Sequence, residues 1–133
     1  MSDPKHKRSE RVADLIRAEL MALIARGALR DPGLTNCYVT SVQMTDDLQN
    51  ARVYVRALHE ESRAHEKTAL LAALTRATGF IRRELAPKLK LRQQPELRFF
   101  WDEGIDHAHK VQDLLASIAA EDSARRPDGE GQA

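Results

Sequence analysis

The sequence predicts a small α+β domain with a three-stranded sheet and helices covering one face. Two observations carry this prediction. Apolar residues recur at three- and four-residue steps in long segments, and they alternate with polar residues in the short segments between them. The predicted order is helix, strand, strand, helix, a break, helix, strand, helix. With 133 residues, 42% of them hydrophobic, the chain is long enough for one domain with a modest core.

The first half of the chain predicts one helix followed by a β-hairpin. A helix is expected over residues 9–29, capped by Ser9 and stopped by the turn at residues 31–33. Its apolar face comprises Val12, Leu15, Ile16, Leu20, Leu23 and Ile24. Residues 37–45 and 51–58 alternate in strand fashion, and the polar residues between them predict a hairpin with a longish loop.

The second half predicts a broken helix, a strand and a last helix. A helix over residues 64–77 is expected to be interrupted at Gly79, to resume at Phe80, and to end near Ala86 because Pro87 has no amide hydrogen. A third strand is expected over residues 96–101, with its odd-numbered residues packed beneath the helices. An amphipathic helix over residues 105–120 follows. Residues 1–7 are expected to be flexible, and residues 121–133 are charged and poor in apolar residues, which predicts disorder.

Charge is distributed unevenly along the chain, although its net charge is only +1. Residues 76–98 hold seven basic and two acidic side chains, a local +5, whereas residues 102–122 hold six acids and one lysine, a local −5. Such a separation orients one face toward an anionic partner. The N-terminus does not resemble a secretory signal, no segment has the length of a membrane span, and the single cysteine permits a reducing cytoplasm.

Residues 75–92 are the most informative stretch, because a glycine inside a helical pattern stands among paired cations. A helical glycine costs about 1 kcal/mol relative to alanine, so either a close helix crossing or a functional bend must account for Gly79. A bare backbone beside cations suits a polyphosphate surface, above all RNA. The candidate RNA-binding residues are Arg76, Ala77, Thr78, Gly79, Arg82, Arg83, Lys88, Lys90 and Arg92, with a second basic cluster at Lys5, Lys7, Arg8 and Arg11. A merely solvated charged face is the alternative.

Other kinds of site are poorly supported by the sequence. His107 and His109 are two residues apart and would diverge on a helix, whereas a helical metal pair needs a spacing of four. Cys37 is interpreted as an ordinary thiol, and no phosphate loop or nucleophile motif is visible. The prediction is therefore no catalytic residue, no metal and no cofactor. Phe100 falls on the opposite parity from Phe99 and Trp101, and could cover the open side of the sheet or touch a partner.

The order and spacing of several segments resemble bacterial ribosome-binding factor A from about Arg8 to Ile118. The segments are residues 10–16, 46–48 with 51–55, 77–85, and 95–99 with 102–103. The resemblance implies a type II K-homology-like domain, here residues 8–120. It also implies that the GxxG loop of the usual domain, which clamps about four nucleotides, is replaced by an Ala-x-Gly kink at Ala77-Thr78-Gly79. Backbone and shape recognition are then expected, without base-by-base reading.

The function expected from this resemblance is assembly of the small ribosomal subunit without enzymatic activity. The expected partners are 16S rRNA and the immature 30S subunit, with a ribosomal protein or a release GTPase facing the acidic last helix. A cytoplasmic monomer that needs no membrane is expected. The alternatives are a protein–protein adaptor using the open sheet face around Tyr54, Arg56 and Phe100, and a generic RNA chaperone. A third alternative is a small hydrolase or metal enzyme that uses Cys37 or the acids and histidines of residues 102–109.

Overall fold

The structure is a computed structural model that describes residues 4–34, 36–58 and 63–125. The remaining residues, among them the first three and the tail from residue 126 onward, lie outside the described part. The chain divides into two compact units, a first that ends at Trp101 and a second that begins at Asp102. The predicted domain limit at residue 120 falls inside the last helix, Glu103–Arg125.

Helix α1 spans Pro4–Ala25, so it begins five residues before the predicted cap. Proline is well tolerated in a first helical turn, because the amide it lacks would be unpaired there. The predicted N-cap at Ser9 is therefore wrong. Ser9 is buried instead, and its hydroxyl lies 2.8 Å from the His6 carbonyl and 3.2 Å from Oδ1 of Asp46 in the hairpin loop. Residues 4–7, expected in the flexible N-terminal segment, form the first turn of α1.

The end of α1 is closed by a glycine in the left-handed region. Gly27 has a φ of 70°, and the Ala28 amide donates to the Leu23 carbonyl over 3.1 Å. A second bond joins the Gly27 amide to the Ile24 carbonyl, which completes a Schellman motif. The chain then passes through a short 3-10 turn, Pro32–Leu34, toward the sheet.

The predicted hairpin is confirmed. Strand β1 spans Cys37–Met44 and pairs antiparallel with β2, Asn50–Ala57. A register shift between Val39 and Ser41 leaves Thr40 as an extra residue. The loop is held by hydrogen bonds between Thr45 and Asn50 and by the Asp47 carboxylate, whose pKa is lowered mainly by the Thr45 hydroxyl.

Helix α2 spans Arg63–Leu89 without interruption, which corrects the sequence prediction twice. The expected break at Gly79 is absent, because the apolar residues on both sides of it are buried, among them Leu74 and Ile81 at 0% exposure. Burial of each such side chain contributes about 1.5–3 kcal/mol, which outweighs the poor helix propensity of one glycine. The helix also continues past Pro87 to Leu89, since the Leu89 side chain is buried in the core.

Strand β3, Glu96–Trp101, coincides with the predicted third strand and pairs parallel to β2. The sheet order is β1-β2-β3. Helices α1 and α2 pack against one face of this sheet, as predicted. Leu97 and Trp101 point into this core and Phe99 packs against it. The most deeply buried core side chains are Ile16, Leu20, Val39, Val53, Val55, Ala73, Leu74 and Ile81.

The second unit contains helix α3, Glu103–Arg125, which covers the predicted helix at residues 105–120 and extends it at both ends. Four of its larger apolar side chains are exposed: Val111, Leu114, Leu115 and Ile118. Within the described residues, every helix is too short or too polar to cross a lipid bilayer.

Candidate RNA-binding surface

The solvent side of α2 carries the central part of the predicted site. Arg76, Gly79 and Arg83 follow one another at steps of three and four residues, so they lie on the same side of the helix. All three are exposed, whereas Leu74 and Ile81 point into the core. We call these three residues the α2 stripe. The stripe therefore places one guanidinium group on each side of a glycine.

Gly79 has no evident structural role within the described part of the protein. Its φ is not positive, so any residue could adopt its backbone conformation. A Cβ atom built at this position would meet only Nη1 of Arg83, at 3.8 Å, so no packed helix requires a glycine there. Of the two explanations left open by the sequence, the close helix crossing is therefore not supported. What remains is an exposed stretch of helical backbone beside a guanidinium group.

Arg82 and Arg83 have different environments, as adjacent helical positions must. Arg82 is half-buried, and its Nη2 donates to the Gln94 carbonyl over 3.3 Å, which ties α2 to the loop before β3. Arg83 is exposed, and its side chain forms no hydrogen bond or ion pair with any described residue. Of this predicted pair, Arg83 is therefore the side chain available to a ligand.

Ala77 and Thr78 are half-buried. The Thr78 hydroxyl donates to the Leu74 carbonyl, four residues earlier, over 3.0 Å. Thr75 makes the same kind of bond to Leu71 over 2.8 Å. These hydroxyls are thus engaged by their own helix. Ala77 faces a cleft between α1 and α2.

This cleft has a volume of about 870 Å³ and lies beside the end of α1. Three arginines line it: Arg76, which belongs to the predicted site, and Arg26 and Arg30, which do not. The Arg76 Nη2 lies 3.1 Å from Oδ2 of Asp31, and the Arg26 Nη2 lies 3.2 Å from Oε1 of Glu84. Arg30 has a φ of 52° and forms no contact of this kind with a described residue. In the sequence, the only sign of a cationic turn at this place is the pair of arginines on either side of Gly27.

Asp31 is the acid that pairs with Arg76 in this cleft. The Gly33 amide donates to its Oδ1 over 2.9 Å, and this bond, followed by the contact with Arg76, lowers the pKa of Asp31 below its usual 3.8. The stabilisation that this lowered pKa represents is present above pH 3.8 and is lost as the pH falls through the pKa of the folded state. At neutral pH, Asp31 is therefore ionised and paired.

The basic residues after Pro87 differ from the extended arrangement that their alternation with leucines predicted. Lys88 belongs to the last turn of α2, and Lys90 has a φ of 52° with its amide bonded to the Ala86 carbonyl over 3.2 Å. This left-handed residue closes the helix. Arg92 follows in a loop and lines a cavity of about 210 Å³. All three side chains are exposed, but the segment is not a strand with cations on one side.

The second basic cluster lies on the first turns of α1. Lys7, Arg8 and Arg11 are exposed there, whereas the side chain of Lys5 lies outside the described part. Arg8 and Arg92 line the same small cavity, together with residues 47–49 of the hairpin loop. The structure therefore brings part of the two predicted clusters together.

The other residues considered from the sequence are Cys37, the acids and histidines of residues 102–109, and Arg56. Cys37 is buried, and burial raises the pKa of its thiol to about 12, so it is uncharged at neutral pH. Among the described side chains, no three histidine, cysteine, aspartate or glutamate residues form a metal-binding group; those of Asp106 and His109 are not described. Arg56 is buried, with its guanidinium carbon 4.4 Å from the centre of the Trp101 ring.

Comparison with known proteins gives a consistent family assignment. The family model for ribosome-binding factor A matches residues 8–115. The protein of that name from Desulfatibacillum aliphaticivorans is 44% identical over 121 residues, which cover 91% of this chain and 95% of the relative.

Solved structures agree with this assignment. The crystal structure of ribosome-binding factor A from Thermus thermophilus is 28% identical, with a TM-score of 0.57, and the match covers 69% of this chain and 93% of that one. A homology model of the Thermus thermophilus factor, fitted into the cryo-EM map of a 30S complex, is 29% identical. Its TM-score is 0.55, and the match covers 71% of this chain and 96% of that one. The predicted α+β fold and the predicted resemblance are confirmed, and the chain belongs to the ribosome-binding factor A family.

Proposed function

We propose that this protein binds the small ribosomal subunit and its 16S rRNA during late maturation, and that the α2 stripe is the centre of the contact. The observation that supports the site assignment is the environment of Gly79. This glycine is exposed in the middle of an uninterrupted helix, and of the described residues only Arg83, through its guanidinium group, lies near the place of the missing side chain. The observation that supports the partner is the related Thermus thermophilus factor, which was fitted into a map of a 30S complex.

The chemistry of the stripe suits phosphate groups better than base edges. Arg83 offers a planar fork of donors, and no carboxylate among the described residues competes for it. Because Gly79 has no side chain, an RNA backbone can approach the helix without a methyl group in between. Arg76 and the free Arg30 extend the cationic surface into the cleft between α1 and α2. Phosphate contacts of this kind fix position and orientation but do not read sequence.

The proposed mechanism is a difference in affinity between two conformations of the subunit. A ligand shifts an equilibrium only by as much as it prefers one state over the other. The protein would hold an rRNA junction that is present in the immature subunit, and it would dissociate when maturation removes this surface. No covalent bond changes and no cofactor are part of this mechanism. The neutral, buried thiol of Cys37 agrees with it.

The remaining parts of the proposal concern the setting. The protein would act in the cytoplasm as a monomer, with the basic residues of the first unit toward RNA. The acidic helix α3 would face a ribosomal protein or a release GTPase. Lys88, Lys90, Arg92, Lys7, Arg8 and Arg11 would add phosphate contacts around the stripe. Arg82 would act mainly by positioning α2 through its bond to Gln94.

The direct test is the single variant Arg83→Glu, because reversal at Arg82 would also break the bond to Gln94. We expect small-subunit binding at physiological salt to weaken by at least about tenfold, since charge-assisted hydrogen bonds contribute about 1.5–3 kcal/mol. Binding is measured by co-sedimentation of the full chain with purified small subunits. The free energy of unfolding should change by less than about 0.5 kcal/mol, because the side chain is exposed.

The matched control is Arg17→Glu, the same charge reversal at an exposed arginine of α1 whose side chain forms no hydrogen bond or ion pair with a described residue. It should leave binding within about twofold of the original. If Arg83→Glu and Arg17→Glu bound small subunits equally well, the α2 stripe would not be the site. Equal affinity for an unrelated structured RNA would instead identify a generic RNA chaperone.

A further inference from the structure

The sheet face opposite the helices carries a second set of side chains that the proposed function does not use. Since strand side chains alternate, the strand residues next to the buried Val53, Leu97 and Trp101 point to this other face. The pairing of the strands arranges them in two neighbouring rows: Gln43, Arg52 and Arg98 in one, and Ser41, Tyr54 and Phe100 in the other.

The second of these rows contains an aromatic pair. The ring centres of Tyr54 and Phe100 are 5.7 Å apart, with an angle of 31° between the ring planes. Tyr54 is half-buried and Phe100 is 39% exposed. Two rings on adjacent strands place aromatic surface on this face of the sheet. Such a surface is the kind on which nucleic acid bases stack.

The first row contains two arginines with the same charge in directly neighbouring positions. Arg52 and Arg98 are register partners on β2 and β3, and both are exposed. Neither side chain forms a hydrogen bond or an ion pair with a described residue. Like charges in such neighbouring positions disfavour a sheet. Glu96 lies two residues before Arg98 on the same face, but it does not pair with either arginine. The positive charge of the two arginines is therefore not balanced by a described acidic side chain, which favours an anionic partner.

We propose that this sheet face binds single-stranded RNA, with bases stacked on Tyr54 and Phe100 and phosphates bound by Arg52 and Arg98. A single strand offers flat bases and regularly spaced negative charges together, which matches the two rows. A duplex hides its base faces, and an acidic peptide offers charge without a flat ring to stack. This inference goes beyond the α2 stripe, because α2 packs on the other side of the sheet and its exposed side faces away from these rows.

The test measures binding of the full chain to a fluorescein-labelled oligouridylate of twelve nucleotides by anisotropy. The variant Arg52→Gln/Arg98→Gln should weaken binding by at least about tenfold. It should also reduce the slope of log affinity against log salt by about 1.4, the value for two lost contacts on a single strand. The control, Arg17→Gln, removes an exposed positive charge on α1, which packs on the other face of the sheet, and should change the affinity by less than about twofold.

The stacking part is tested at Phe100. Phe100→Leu should weaken binding of the oligonucleotide by about tenfold without changing the salt slope, whereas Phe100→Tyr should keep the affinity because it keeps the ring. Both variants should bind a twelve-base-pair RNA duplex as the original does. The series is repeated in an Arg83→Glu background, so that single-strand binding by the α2 stripe does not conceal the result.

Two results would overturn the inference. One is oligonucleotide affinity within about twofold of the original in the double arginine variant, in both backgrounds. The other is loss of binding to a labelled polyglutamate peptide in that variant while RNA affinity stays unchanged, which would assign the face to an acidic protein segment. Failure of Arg83→Glu to affect small-subunit binding would bear on the proposed function alone.

Discussion

At the scale of single residues, Gly79 is the position where the residue present differs most clearly from the one that helix stability favours. The position is helical, exposed and unpacked, so every local consideration favours alanine. A helical glycine destabilises a protein by about 0.5–1 kcal/mol relative to alanine. A glycine that lowers stability without a role in packing or backbone conformation supports the proposed contact outside the chain.

Gly79→Ala should therefore raise stability and lower binding. We expect the free energy of unfolding to increase by about 0.5–1 kcal/mol, measured by urea denaturation. We expect affinity for small subunits to fall by about tenfold, because a methyl group would separate the RNA backbone from the helix. Ala72→Gly, a change in the opposite direction at an exposed position of the same helix, should lower stability and leave binding unchanged. A Gly79→Ala protein that bound as tightly as the original would show that the glycine has no part in the contact.

At the scale of elements, α2 is joined to the end of α1 and the following turn by two exposed ion pairs, Arg76 with Asp31 and Arg26 with Glu84. Exposed pairs of this kind contribute little to stability. Their more important effect is on the arginines, which must leave a carboxylate before they can bind a phosphate. These ion pairs thus hold Arg26 and Arg76 in place at the cleft, and their carboxylates compete with the proposed ligand for the two arginines.

Asp31→Asn should consequently strengthen binding to small subunits, by about twofold to fivefold. The asparagine carbonyl can still accept the Gly33 amide, so the turn is kept while Arg76 loses its charged partner. Co-sedimentation at physiological salt measures the affinity, and thermal unfolding at pH 7 should show only a small loss of stability. Weaker binding would mean that Asp31 positions Arg76 for the ligand and does not compete with it.

At the scale of the whole molecule, charge is separated between the two units. Residues 76–98 of the first unit carry a net +5, and residues 102–122 of the second carry −5. The exposed cations near the α2 stripe, on the first turns of α1 and on the open sheet face all belong to the first unit. Association with an anionic surface should therefore depend strongly on ionic strength.

If about five cations contact phosphates, log affinity for small subunits should fall with log salt at a slope of about −3.5 to −4.5. The measurement is a series of co-sedimentation isotherms between low and physiological salt. Truncation after Trp101 tests the second unit: the slope should stay the same, because the cations that determine it lie in the first unit. A slope near zero, together with a partner that survives nuclease treatment, would favour a protein–protein adaptor.

The sequence by itself determined the elements and the family. Both strands of the hairpin and the whole of β3 follow from alternation of polar and apolar residues over a few positions, and such patterns are local. The family follows from the order and spacing of short segments, because these reflect many positions at once. The general location of the candidate site followed as well, since its glycine and its cations are close together along the chain.

Only the tertiary structure decided how α2 is built and which of its cations are free. Gly79 and Pro87 interrupt a helix by local propensity, but burial of Leu74, Ile81 and Leu89 against other elements outweighs that preference. Arg82 differs from Arg83 because a carbonyl from the loop at Gln94 reaches only one of them. Arg30 joins Arg76 in one cleft, and Arg52 lies beside Arg98 on one sheet face, because the fold brings distant segments together. Such contacts depend on residues far apart in the chain, so no local pattern contains them.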